Sequence, residues 1–168
     1  MMRSTLFATL ALAGALLSPA FALADPAMIY VTRHAEKATE GRDPNLTAQG
    51  QARARALAVI LKKVGIKHVF STATVRTQQT AQPLAQQAGV VVQTYDPAKP
   101  NMVIDKILAL AGPTLLVGHS NTVPNLVELL GGAPGGPIAD DEYDRLYQLI
   151  VAADGSVTTV LLTTLPAP

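Results

Sequence analysis

Four short apolar runs, AMIYV (27–31), KHVFST (67–72), VVVQTY (90–95) and TLLVGH (114–119), are each separated by a stretch with helical spacing. This alternation constrains the fold more than any other feature. Parallel strands cannot be joined by a tight turn, so a helical crossover must carry the chain back. A strand that is apolar throughout, such as TLLVGH, must also be covered on both faces. The pattern therefore predicts a three-layer α/β/α sandwich with a mainly parallel sheet. Two last runs, RLYQLIV (145–151) and SVTTVLLTTL (156–165), are separated only by AADGS. They predict an antiparallel hairpin at one edge of the sheet.

The intervening stretches carry their own punctuation. In 45–65, Thr47 can cap a helix whose Ala52, Ala56, Leu57, Ile60, Leu61 and Val64 recur at helical spacing. Lys62 and Lys63 would then occupy its last turn, favoured by the helix dipole, with Gly65 as terminator. A second helix is expected over about 76–87, ended by Gly89, with Pro83 kinking or breaking it. Residues 102–111 and 122–132 read as two more helices, Pro124 being tolerable in a first turn. The Gly/Pro-rich segment 131–144 reads as a loop, solvated by Asp140, Asp141, Glu142 and Asp144.

The first two dozen residues do not belong to this pattern. Arg3 precedes the uncharged run LFATLALAGALL, and two small-x-small sites follow at Ala20–Ala22 and Ala22–Ala24. That order predicts a cleaved secretory peptide over 1–24, followed by one domain over 25–168. A periplasmic or secreted protein with no stable membrane insertion is the expectation. Cleavage would leave 12 Lys+Arg against 12 Asp+Glu, which gives nonspecific nucleic-acid binding no electrostatic basis. Aromatics at 4% are too few for base-stacking platforms. The chain has no cysteine, which excludes thiol catalysis and thiolate metal sites.

In open α/β sheets, ligands bind beyond the carboxyl ends of the strands. The first strand is followed there by Arg33 and His34, the second by a segment containing Arg76, the third by Asp96, and the fourth by His119, Ser120 and Asn121. Two arginines and two histidines from distant parts of the chain thus meet on one rim. Gathered cations call for an anion, and a phosphoryl group suits both their charge and their shape. Arg33 and Arg76 can clamp its oxygens through their planar forks. His34, beside a clamping arginine, is the candidate in-line nucleophile, with His119 bonding an equatorial oxygen, most usefully as a cation. Asn121 is a candidate for the phosphate through its amide or backbone N–H, with helix capping as the alternative. His68 has no motif around it and reads as structural or exposed.

The blocks VTRHAEK, LTAQGQARA, VRTQQTAQPLA and VGHSNTVPNL, in this order, resemble the histidine phosphatase superfamily, the phosphoglycerate-mutase-like group, over about residues 29–130. The resemblance implies a phosphohistidine intermediate on His34, with Arg33, Arg76 and His119 completing the phosphate pocket, and no cofactor or metal. Ala35 stands where the common signature has glycine, and Ser120 where the acid-phosphatase branch has aspartate. The first is the RHA-E variant of the signature, and the second points to the small branch, in which the proton donor comes from elsewhere. Asp96 and Glu36 compete for that role, with Asp96 slightly preferred, and substrates with good leaving groups need neither.

The expected activity is phosphomonoester hydrolysis. The absence of a long insertion between the second helix and third strand implies an open pocket, suited to a phosphorylated small molecule, an envelope sugar phosphate or a phosphoprotein. The alternatives are a phosphoanion-binding module without turnover and a metal-dependent hydrolase built on His34, His119 and a carboxylate. Arg33 beside the nucleophile disfavours a dication there.

Overall fold

The computed structural model describes residues 27–164. The expected leader over 1–24 lies outside the described residues. Six strands and four helices alternate as β1 (Ala27–Arg33), α1 (Ala48–Ile60), β2 (His68–Ser71), α2 (Val75–Ala88), β3 (Val92–Thr94), α3 (Pro100–Leu108), β4 (Thr114–Gly118), α4 (Val123–Leu129), β5 (Arg145–Val151) and β6 (Val157–Thr163). They form one sheet in the order β3-β2-β4-β1-β5-β6. The β1–β4, β2–β4 and β2–β3 pairs are parallel, and β5 is antiparallel to both β1 and β6. The expected mainly parallel sandwich with an antiparallel edge hairpin is therefore the observed fold.

The helices cover both faces. Leu57 and Ala58 of α1 pack with Ala81, Leu84 and Ala85 of α2 on one side. On the other, Val103, Ile104 and Ile107 of α3 pack with Val123, Leu126 and Val127 of α4. β4 is buried throughout, as its apolar sequence requires. Each fully buried aliphatic side chain contributes roughly 1.5–3 kcal/mol, so the two layers rather than helix propensity hold the helices in place.

Several local expectations are corrected. Helix α1 ends at Ile60, so Lys62 and Lys63 lie beyond its last turn, and Ile60 is exposed rather than part of the core. Its buried face instead includes Gly50, Arg53 and Ala54. The Thr47 side chain does cap this helix, accepting from the Gly50 N–H. Pro83 neither ends nor divides α2, which continues to Ala88. Both Pro83 and Gln79, whose carbonyl loses its helical donor, are half-buried. Gly89 closes α2 in the left-handed conformation (φ 68°), and Val90 N–H bonds back to the Ala85 carbonyl.

Gly50 is required by a close approach. The start of α1 passes against the segment following β1, and a Cβ at position 50 would collide with the Glu36 carbonyl oxygen. That same oxygen accepts from Thr47 N–H at 2.9 Å. Gly50→Ala is expected to cost about 1–3 kcal/mol, read as a lower urea midpoint with an unchanged slope.

Candidate functional site

Strand register sets the site. Arg33 of β1 pairs with Gly118 of β4 in the parallel ladder, so the next residues, His34 and His119, emerge side by side. His34 N–H donates to the Gly118 carbonyl at 3.0 Å, and the two imidazole rings lie 5.4 Å apart, edge to face. Gly118 leaves space for the start of α4. A Cβ there would come 3.0 Å from Thr122 Oγ1 and 3.2 Å from Val123 Cγ2.

His34 is almost fully buried. Its Nδ1 lies 2.8 Å from the Ala35 carbonyl, which can only accept, so Nδ1 carries the proton and Nε2 keeps its lone pair. Burial, together with the positive charges of Arg33, His119 and Arg76, lowers its pKa to about 4, although the Ala35 hydrogen bond opposes this. His119 is also lowered to about 4, by burial and then by Arg76 and Arg33, with Asp43 acting the other way. Both guanidiniums thus act on both rings. The expectation that His119 serves as a cation needs amending: without an anion it is neutral, and only an incoming negative charge would favour its protonation.

Arg33 is buried. Its Nη1 donates to the backbone carbonyls of Ala139 (2.7 Å) and Glu142 (2.8 Å), and its guanidinium stacks 4.1 Å from the centre of the Tyr143 ring. The Tyr143 ring also lies 6.0 Å from that of His34. The loop expected only to be solvated by its acidic residues is therefore a strap over the first arginine, and Glu142 is itself paired with Arg145 at 2.6 Å. Arg76, in the first turn of α2, donates through Nη1 to Asp43 at 3.2 Å. Asp43 also accepts from Val75 N–H, capping α2 from a loop more than thirty residues earlier. Thr80 ties the two halves together, accepting from Ala35 N–H (2.9 Å) and donating to the Arg76 carbonyl (2.8 Å).

One feature of both arginines is unexplained by protein contacts. Among the described residues, the buried Nε of Arg33 and the buried Nε of Arg76 have no acceptor. A buried donor left unpaired costs about 1–3 kcal/mol, more when charged. Two such donors, on arginines whose charges act on both imidazoles, are the chemistry that an oxyanion can satisfy.

The remaining predicted residues lie elsewhere. Glu36 is taken by Arg53, which grips both carboxylate oxygens (Nε at 3.0 Å to each, Nη2 to Oε1 at 2.6 Å). Burial pushes the Glu36 pKa upward, but the Arg53 hydrogen bonds outweigh it and hold the carboxyl below its ordinary value. An ionised, paired Glu36 has no proton to give, so its candidacy as general acid is withdrawn. Arg53 continues to Thr164 Oγ1 at 2.9 Å, joining α1 to the end of β6. Asp96 is exposed, and its carboxylate accepts from Ala98 N–H rather than bonding either histidine. Asn121 is exposed and is not the cap of α4. That position belongs to Thr122, whose hydroxyl accepts from His119 N–H at 3.0 Å. His68 opens β2 and bonds the Ala111 carbonyl through Nε2. Among the described residues, no three His, Cys, Asp or Glu side chains gather as metal ligands.

Sequence reasoning missed Thr74, Asp43 and Tyr143. Thr74 Oγ1 lies 3.3 Å from His119 Nε2, at the start of α2 and next to the Arg76 segment, where a pocket hydroxyl could have been sought. Nothing local marks Asp43 or Tyr143, which reach the site only through tertiary folding.

Residues 29–98 match the histidine phosphatase superfamily (branch 1). The match spans less than half of the 168-residue chain and marks similarity to that superfamily over this stretch. The matched stretch includes Arg33, His34 and Arg76 but stops short of His119. The probable phosphoglycerate mutase GpmB of Escherichia coli O1:K1 is 37% identical over 68 residues, covering 36% of this chain. The chain spans about a third (32%) of that relative's length. The same figures hold for GpmB of Shigella boydii serotype 18. Among solved structures, the protein histidine phosphatase SixA complexed with tungstate superposes with a TM-score of 0.69 at 19% identity, over 82% of this chain and 97% of that one. A mycobacterial glucosyl-3-phosphoglycerate phosphatase gives 0.65 at 16% identity, over 86% and 100%. At such identities the superpositions establish a shared fold.

Two outcomes follow from this geometry. Unfolded histidine protonates near pH 6.5, whereas both site histidines stay neutral in the folded protein to about pH 4. The unfolded state therefore binds more protons between these values, so stability is full above pH 6.5 and falls as pH drops toward 4. Urea midpoints across that range should show the loss, and His119→Gln should reduce it. The second outcome concerns Tyr143, which positions Arg33. Tyr143→Leu should raise KM for an aryl phosphate roughly two- to fivefold, matching about 0.5–1 kcal/mol for a cation–π contact, whereas Tyr143→Phe should restore it. Steady-state kinetics on the three proteins test this.

Proposed function

We propose that this chain is an exported phosphatase that hydrolyses phosphomonoesters through a phosphohistidine intermediate on His34. The observation that carries this reading is the pair of buried, unpartnered guanidinium Nε groups of Arg33 and Arg76 flanking neutral His34 and His119. The similarity of residues 29–98 to the histidine phosphatase superfamily supports it, and so does the tungstate bound by the SixA neighbour, a tetrahedral oxyanion. Export rests on the Arg3, apolar-run and Ala-x-Ala features of residues 1–24.

Each role follows from a position already described. The phosphoryl oxygens accept from Arg33 and Arg76, whose charge offsets that on the oxygens in the transition state. The Nε2 lone pair of His34 attacks phosphorus in line, and the phosphorus–oxygen bond to the leaving group breaks. The phosphorylated ring is a cation with its Nδ1 proton in place. The Ala35 carbonyl, 2.8 Å from that nitrogen, both orients the ring and stabilises its positive charge. His119, near Thr74, gains a proton as the dianion enters and donates it to an equatorial oxygen. Water then attacks phosphorus, the phosphorus–nitrogen bond breaks, and neutral His34 is regenerated.

Neither Asp96 nor Glu36 hydrogen-bonds to the histidine pair, so the leaving group departs without a carboxylic acid held in place for it. Rate should then depend steeply on the leaving group. An aryl phosphate or a phosphoramidate should turn over at least a hundredfold faster than an alkyl phosphate, the scale of one general-acid contribution. His34→Ala should abolish turnover with little effect on folding. Vanadate should inhibit and chelators should not. A His34→Ala protein with normal activity defeats the reading, and chelator sensitivity favours the metal-dependent alternative. Vanadate binding without any turnover would reduce the chain to a phosphoanion-binding module.

A further inference from the structure

Asp96, left aside by the phosphoryl chemistry, lines a cavity of about 210 Å³ with Phe70, Thr94, Tyr95, Lys99, Met102, Val103 and Lys106. The cavity lies between the end of β3 and helix α3. Its floor is apolar, with Phe70, Tyr95 and Val103 all buried. Met102 is 68% exposed, an apolar side chain left in water. The walls are mainly cationic. The Lys106 ammonium sits 5.3 Å from the centre of the Phe70 ring and donates to Gln93 Oε1, while exposed Lys99 immediately precedes α3. Asp96 is the one acidic group in this lining, and its carboxylate is turned toward its own Ala98 N–H.

This cavity shares the rim of the sheet that carries the histidines. Gln78 of α2 donates both to the Thr72 carbonyl and to Thr94 Oγ1 of the cavity wall. Thr72 Oγ1 bonds Thr74 Oγ1, which reaches His119. From the other side, the Tyr95 hydroxyl donates to the carbonyl of Val117, two residues before His119. A substrate leaving the phosphoryl centre toward β3 would cross Thr94 and enter here.

Size and chemistry narrow the occupant. Drug-sized ligands occupy about 300–1,000 Å³, so the space suits one or two amino-acid side chains. An apolar floor gives a hydroxyl-rich sugar few partners, and burying hydroxyls without them is unfavourable. An apolar side chain with an adjacent carboxylate would cover Phe70 and Met102 and meet Lys99 and Lys106. We propose that this cavity is a specificity subsite for an acidic peptide segment, an apolar residue next to a glutamate or aspartate, flanking the phosphorylated residue. The inference rests on the phosphatase reading above for the placement of the phosphoryl group.

The test is a binding measurement on His34→Ala, which holds substrate without turning it over. Two phosphotyrosine peptides are titrated calorimetrically, one flanked on both sides by leucine and glutamate, the other by serine and glutamine. The acidic peptide should bind about tenfold more tightly, a difference of about 1.4 kcal/mol. Adding Lys99→Ala and Lys106→Met, which remove charge from exposed positions, should bring the two affinities together. Equal affinities before those changes, a preference that survives them, or a glucosyl phosphate binding as tightly as the acidic peptide would each overturn the proposal. Aryl phosphate hydrolysis by the unaltered protein, measured alongside, tests the phosphatase reading alone, so the two failures are distinguishable.

Discussion

Everything at the site depends on the parallel pairing of β1 with β4. In a parallel ladder whose partners are Arg33 and Gly118, the residues that follow must leave the sheet together. His34 and His119 are brought into contact by backbone hydrogen bonding. The chain skips a place between β1 and β2, and β4 later fills it. At that point the helices also change face, from α1 and α2 to α3 and α4. A crevice at such a reversal is where open α/β sheets bind ligands.

The site is governed first by burial and then by charge. Two permanent cations and two imidazoles are held in a mostly buried space, and the imidazoles stay neutral because burial, reinforced by the guanidiniums, disfavours their charged form. Neutrality is what a nucleophilic His34 needs. In the proposed reading, an oxyanion would satisfy the two buried donors and let His119 take up a proton. Carboxylates are placed so as not to compete. Glu36 is taken by Arg53, and Asp43 reaches Arg76 through Nη1, leaving Nε free.

The sheet and its hairpin were legible in the sequence because strands buried on both faces are written as unbroken apolar runs. The four basic residues were legible for a related reason: each immediately follows such a run or opens the next helix. What could not be read was any contact made across the fold. Tyr143 and Asp43 act on Arg33 and Arg76 from distant loops, and no local period or spacing marks them. Glu36 misled because its nearness to His34 in the chain says nothing of Arg53, seventeen positions on, which claims it. Pro83 does not break α2, although a break was one of the two outcomes its presence suggested. Asn121 lost the capping position to Thr122 by a single residue, a margin within the uncertainty of helix ends.

The strap over Arg33 grips with main-chain oxygens, those of Ala139 and Glu142. Every amino acid carries such an oxygen, so side-chain identity at 139–142 hardly matters to this grip, whereas the number of residues and the path they trace do. The grip itself therefore depends on the path of the segment, which the Glu142–Arg145 pair helps to hold, more than on the identity of the residues that supply the oxygens.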